Sequence, residues 1–464
     1  MAVLAYDVIH HYRVDAVLTQ PLHIGSAGGN REEILIHPVT RTPFIQASGL
    51  AGSFRSYYET MCGTETGAVT ELFGSAGNDP GDHPSRIRFS DGFFSGNLKV
   101  ERRPHVKLDP ASGTVASEGA SGAGTRFDTE YIGAGAKFAF EIEVYSLGAH
   151  AAQDAEDVET ILAALHGEQI QLGAHKSTGS GYLTIEKAVW HSFSMTDGEE
   201  RRMWLHPEQT PAAEYTELEF KDLAASRAAG MTAYAITLRG RTQGDLLIRA
   251  IAVPGVGEEA PDSGGIQNAK GDFIIPGSSL KGAVRNRAES IAAYLEKTGK
   301  TSACAEQLIL DAFGGRRKDA DKKDRDTGRR GNLYFMDTVV GDREANEKAS
   351  LQHRIHIDKL TGGVMYGGKF SQKNVFGKMT IRIRVMDENG PDSSCGLLLL
   401  ALRDLMAGLY NLGSGYNIGK GFLDIDSITI QDAEGKEAVL TRSGIRDDSG
   451  LIDRCMKALA MPAH

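Results

Sequence analysis

Apolar and polar positions along this chain form short runs, and the runs come in the same order twice. The first half has a β-like run from Tyr12 to Leu18, then a helix opening near Ser48 in Ala47-Ser48-Gly49-Leu50-Ala51-Gly52-Ser53-Phe54-Arg55. Strands follow at Arg86 to Asp91 and Lys137 to Val144, then a helix and the turn Ser177-Thr178-Gly179-Ser180-Gly181-Tyr182-Leu183. The second half runs from the strand Tyr234 to Leu238 to a helix in Gly277-Ser278-Ser279-Leu280-Lys281-Gly282-Ala283-Val284-Arg285. Strands Asn332 to Asp337 and Lys378 to Met386, a helix near Leu397 to Leu412 and the turn Ile418-Gly419-Lys420-Gly421-Phe422-Leu423 complete it. Small landmarks keep their places as well: Phe73-Gly74 matches Phe313-Gly314. From the helix-opening phrase onward, matched landmarks lie 230 to 249 residues apart, so the order is shared and only loops differ.

Each half reads β–loop–α–β–hairpin–β–α–β, the split βαβ order of a ferredoxin-like domain. The prediction is an α+β protein of two tandem ferredoxin-like (RRM-like) domains with hairpin insertions. The domains span residues 1–195 and 231–464, with a linker at 196–230 where Asp197-Gly198-Glu199-Glu200 and His206-Pro207-Glu208 have linker composition; the break falls near residue 215. Thr380-Ile381-Arg382-Ile383-Arg384-Val385 alternates strictly, giving one apolar and one cationic face. Helices packed on one side of a sheet leave the other side free for such cations.

A chain of 464 residues exceeds one ordinary core and fits two domains, or three if one is small. The net charge of −10 excludes a uniformly basic nucleic-acid binder but leaves room for a local basic groove. Cys62, Cys304, Cys395 and Cys455 are far apart and lack metal-ligand spacing, which reads as buried thiols in a reducing compartment. The first ten residues lack the features of a signal peptide, and the longest apolar run, Leu397 to Leu402, is too short to span a bilayer. A cytoplasmic, soluble protein with no membrane partner is expected.

The repeated helix-opening phrase carries chemistry. A Ser at the N-cap, small residues in the first turn and a cation one or two turns later make an anion cradle. Free backbone N–H groups, the positive end of the helix dipole and a fixed charge converge there. Two such cradles suit a polymer with regularly spaced phosphates.

Ile275-Pro276-Gly277-Ser278-Ser279-Leu280-Lys281-Gly282 with downstream Arg285 resembles the RAMP (repeat-associated mysterious protein) superfamily of CRISPR RNA-binding proteins. Phe313-Gly314, the strand ending at Asp337, Ile357-Asp358-Lys359 with Thr361-Gly362-Gly363, and the terminal Gly-rich turn are similar to the backbone subunit of type III effectors. Two fused copies resemble the tandem backbone subunits of type III-D-like systems. The resemblance implies guide RNA, complementary target RNA and other effector subunits as partners. It implies guide-backbone contacts for Ser278, Ser279, Lys281 and Arg285, and for Ser48 and Arg55 in the first half, where Ala51 replaces Lys281. It also implies close approach of RNA at Gly179 and Gly181 and at Gly419, Lys420 and Gly421, with Tyr182 and Phe422 beside them as stacking platforms or as core aromatics. The segments Asp109 to Phe127 and Asp358 to Phe370 match the protruding thumb, whose tip candidates are Val364, Met365 and Tyr366.

In catalytic members an aspartate before the Ser-Leu-Lys helix cuts target RNA, and the count places it at Asp262. The corresponding stretch of the first half holds Arg31 beside Glu32 and Glu33. Either a glutamate substitutes as a weaker catalytic carboxylate, or the site binds without cutting, and a weak or inactive first site is the favoured reading. A carboxylate suits deprotonation of the 2′-hydroxyl or retention of a divalent ion such as Mg2+, and the sequence leaves the metal requirement open. Three readings follow: an endoribonuclease at Asp262, a non-catalytic scaffold of the same kind, and a stand-alone guide-processing ribonuclease. The duplicated binding apparatus disfavours the third. The charged segment Arg316 to Arg330, net positive in an acidic protein, reads as a solvated loop or a basic flap over RNA.

Overall fold

The computed structural model describes residues 6–25, 32–63, 67–75, 84–106, 126–206, 214–220, 232–250, 261–315, 328–388 and 390–460. Arg31, residues 109–125 of the first thumb and 316–327 of the charged loop lie outside the described residues. Contacts divide the chain into two units: Met1–Val100, Tyr131–Lys176 and Ser180–Met231 form one. Glu101–Glu130, Ser177–Gly179 and Thr232–His464 form the other, so the second unit draws in two stretches from the first half of the sequence.

The first unit is built from β1 (Val8–Leu18), α1 (Ala47–Cys62), β2 (Ile87–Phe89), β3 (Lys137–Ser146), α2 (Ala151–His166) and β4 (Leu183–Ser194). The strands lie in the order β2-β3-β1-β4, every neighbour antiparallel, which is the ferredoxin-like arrangement. Register places Tyr12, Val14 and Ala16 opposite Ile142, Phe140 and Phe138, and all six are buried on one face. Against that face pack Leu50 and Phe54 of α1 and Val158, Ile161, Leu162 and Leu165 of α2, at helical spacing.

The second unit repeats the plan with β5 (Thr232–Thr242), α3 (Gly277–Lys297), β6 (Leu333–Phe335), β7 (Lys378–Met386), α4 (Pro391–Met406) and β8 (Leu423–Asp432). Its order is β6-β7-β5-β8, with Glu437–Thr441 and Gly444–Arg446 added beside β8. The alternation read in β7 holds: Met379, Ile381, Ile383 and Val385 are buried, while Lys378, Thr380 and Arg382 are exposed. The helix expected near Leu397 to Leu412 begins earlier, with Pro391 at its first turn, and ends at Met406. It is buried almost all round because the helix Leu451–Ala460 covers its outer side; at Gly396 a Cβ would stand 2.5 Å from the Cys455 carbonyl oxygen.

The described part of the segment expected as a linker is folded. Asp197 caps a helix, Gly198–Leu205, by accepting from the Glu199 and Glu200 amides at 2.7 and 3.1 Å, and Thr216–Glu217 pairs with β4. Among the described residues no helix is long and apolar enough to cross a membrane.

Candidate nucleic-acid interface

The two helix starts are alike, and both differ from the sequence expectation. Gln46 and Pro276 occupy the N-cap positions and give no side-chain cap; Ser48 and Ser278 sit in the first turn instead. The first amide of each helix is held by an aspartate from the end of the following strand region. The Ala47 amide donates to Asp91 Oδ1 at 2.7 Å and the Gly277 amide to Asp337 Oδ1 at 2.9 Å. Further in, the Gly49 and Leu50 amides bond the Gln46 carbonyl, and those of Ser279 and Leu280 bond Pro276. The anion stabilised by each helix dipole is therefore the protein's own carboxylate, and the open cradle read from the sequence is closed at its first amide. Sequence reasoning missed Asp91 and Asp337 as caps, although both repeats visibly end their second strand in Asp.

In the second unit Asp337 has a second duty. Its Oδ2 lies 2.6 Å from an Arg103 guanidinium nitrogen, and Arg103 also bonds Glu101, all within a buried cluster. Burial disfavours the Arg103 charge, but Asp337 and Glu101 outweigh it and hold its pKa above the ordinary value. Glu101 Oε1 accepts from the Ala269 amide at 2.6 Å, which fixes the loop entering α3. Lys281 Nζ donates to Ser177 Oγ at 2.8 Å; burial, and then Arg285, pull its pKa down to about 8.

Asp262 lies on a different edge. The short strand Ser263–Gly264 pairs in parallel with the outer hairpin strand Val364–Lys373. Asp262 Oδ2 accepts from the Ser371 amide at 2.6 Å and its hydroxyl at 3.1 Å, and the Asp262 amide donates to Ser371 Oγ at 3.1 Å. The backbone N–H of Ser371, then its hydroxyl, hold the exposed carboxyl below the usual aspartate range, with a smaller pull from His353. The hairpin itself pairs Gln352–Ile357 with Val364–Lys373, so it rises six residues before the expected Asp358. Val364, Met365 and Tyr366 are exposed on it, Tyr366 fully, together with Leu360.

The sequence profile of the RAMP superfamily matches residues 15–184 and 242–424, well over half of the chain and once in each repeat. The chain belongs to the RAMP superfamily. It is thereby a CRISPR-associated RNA-binding subunit with two RAMP domains in tandem. No curated protein matches the chain significantly.

Several RAMP landmarks turn out to support one another. Arg55 bonds Glu59 at 2.9 Å and the Gly74 carbonyl at 3.1 Å; Arg285 bonds Glu289 and the Gly314 carbonyl at the same two distances. The arginine of the helix phrase thus pins the Phe-Gly landmark that ends the next helix, rather than extending freely toward a phosphate. Gly181 and Gly421 also match: φ is +85° and +81°, and a Cβ on either would stand 1.9 Å from a leucine carbonyl, Leu172 or Leu412. Gly179 packs against Phe335 and Met336, whereas Gly419 has nothing within 4 Å of an added Cβ. Tyr182 is a core aromatic. Lys420, read as an RNA contact, is only 5 % exposed; its ammonium bonds Gln352 and Gln372 at the foot of the hairpin. Isolated bridges pair Gly25 with Ile34 and Ile36 with Pro43, as Arg249 pairs with Gly265 and Gln267 with Phe273. By that correspondence Glu32 and Glu33 match Ser263 and Gly264, and the position matching Asp262 lies outside the described residues.

Proposed function

We propose that this RAMP protein is a fused, type III-D-like backbone subunit of a type III CRISPR effector, binding guide RNA and cutting the paired target at Asp262. The observation that carries this reading is Asp262 itself: an exposed carboxylate, kept ionised by Ser371, at the foot of a hairpin with an apolar tip. Such a hairpin suits wedging into a guide–target duplex, which would leave the unstacked nucleotide beside the carboxylate. The Ser371 bonds lower the basicity of Asp262, and a general base works best with a pKa near the working pH. Its stronger role is therefore as a fixed negative charge that orients the 2′-hydroxyl or holds a cation against the scissile phosphate. Among the described residues no cluster of three His, Cys, Asp or Glu side chains could hold a metal. A Mg2+ ion on Asp262 would thus take most ligands from RNA phosphates and water, as Mg2+ commonly does, and would supply charge neutralisation at the phosphate.

The test is D262A in the assembled complex, with target cuts mapped. Cleavage at the second unit's position drops by about a hundredfold or more while guide binding is kept. Survival of every cut would leave the non-catalytic scaffold as the correct reading. The double variant E32Q/E33Q tests the first half: an inactive first site predicts that no separate cut disappears.

A further inference from the structure

The sheets of the two units differ on the side away from their helices. In the first unit that side is occupied by the unit's own residues. Trp204 Nε1 donates to Glu143 at 3.2 Å, Tyr215 meets His11 Nδ1 at 2.8 Å, and the Arg13 guanidinium lies 4.5 Å from the centre of the Tyr215 ring. In the second unit the same side carries Arg239 and Arg241 on β5 and Lys378, Arg382 and Arg384 on β7, against Asp424 and the bulged Asp426 on β8. Register sets Arg241 opposite Lys378, Arg239 opposite Thr380, Thr237 opposite Arg382 and Ala235 opposite Arg384, so the cations share one surface. Positions two apart on a strand are about 6.6 Å apart, and neighbouring strands about 4.8 Å. Arg241 pairs with Asp424 at 3.1 Å, whereas Arg239, Lys378 and Arg382 are exposed with no ion pair among the described residues.

Since the same fold in the first unit does without this charge, the fold does not require it. We propose that the helix-free face of the second unit binds the sugar-phosphate backbone of a single RNA strand without reading its bases. Four of the five cations are Arg, whose planar fork matches phosphate oxygens. Between them lie Ala235, Thr237, Thr380, Ser427 and Thr429, which offer neither an aromatic platform for a base nor an apolar core for a protein partner. The face is separate from the helix starts, and the inference does not depend on guide contacts there.

The experiment compares the wild-type chain with R239Q/K378Q/R382Q by anisotropy of labelled oligouridylate and oligoadenylate across a salt series. Loss of three phosphate contacts lowers the slope of log affinity against log salt by about 2, at about 0.7 per contact on a single strand, and equally for both RNAs. An unchanged slope overturns the inference. So does unchanged RNA binding with lost self-association in sedimentation, which would assign the face to a second copy of the chain. K281M measured in parallel separates the two surfaces: weakening there without weakening in the triple variant removes this inference and leaves the proposed function standing.

Discussion

Replacing Asp337 with alanine uncaps α3 and takes one of two carboxylates from buried Arg103. Breaking a buried charge pair is costlier than losing a cap, so D337A is expected to destabilise the second unit by about 3 kcal/mol or more. D91A, which removes a cap alone, costs about 1 kcal/mol in the first unit. Urea unfolding of the two variants measures the difference. Lys281 gives a prediction in pH: its folded pKa of about 8 lies below the ordinary 10.5. Between those values the unfolded chain holds a proton that the folded chain lacks, so this residue makes stability rise with pH. K281M flattens the thermal-unfolding midpoint against pH over that window. At this scale the sequence was informative about which residues recur and weaker about what they touch. Arg55 and Arg285 stand out as a repeated cation, but a carbonyl nineteen or twenty-nine residues away is their partner, and no local pattern reveals it.

Elements were more legible. Alternation in β7 and the order of strands and helices follow from periods of 2 and 3.6, which short stretches of sequence display. Helix starts were less so, because the caps come from Asp91 and Asp337 rather than from the serines at the start of the phrase. The hairpin's rising strand is hard to read in sequence because Gln352 to Ile357 mixes polar and apolar residues on an exposed hairpin, where burial imposes no period. Turn glycines give the element-scale prediction. Gly421 is both left-handed and packed on the Leu412 carbonyl, while Gly419 is left-handed in open space. G421A is therefore expected to cost about 3 kcal/mol and G419A about 1 kcal/mol, read as shifts in unfolding midpoint.

At the scale of the whole molecule the chain holds one strand-and-helix plan twice, and the two copies display different surfaces. Both units keep the β2-β3-β1-β4 order and its matching register. They differ where charge is displayed: the first sheet's outer side is covered by Trp204 and Tyr215, and the second sheet's is cationic. The duplication was legible because landmarks recur in order, whereas the covering of the first sheet was not, since its residues lie in a segment of linker-like composition. The most direct test of a tandem RNA-binding protein is nuclease footprinting of guide RNA on the full chain. Two protected stretches of similar length, one per RAMP domain, are expected, each weakened separately by substitutions in its own unit. A single protected stretch, or none, contradicts the reading.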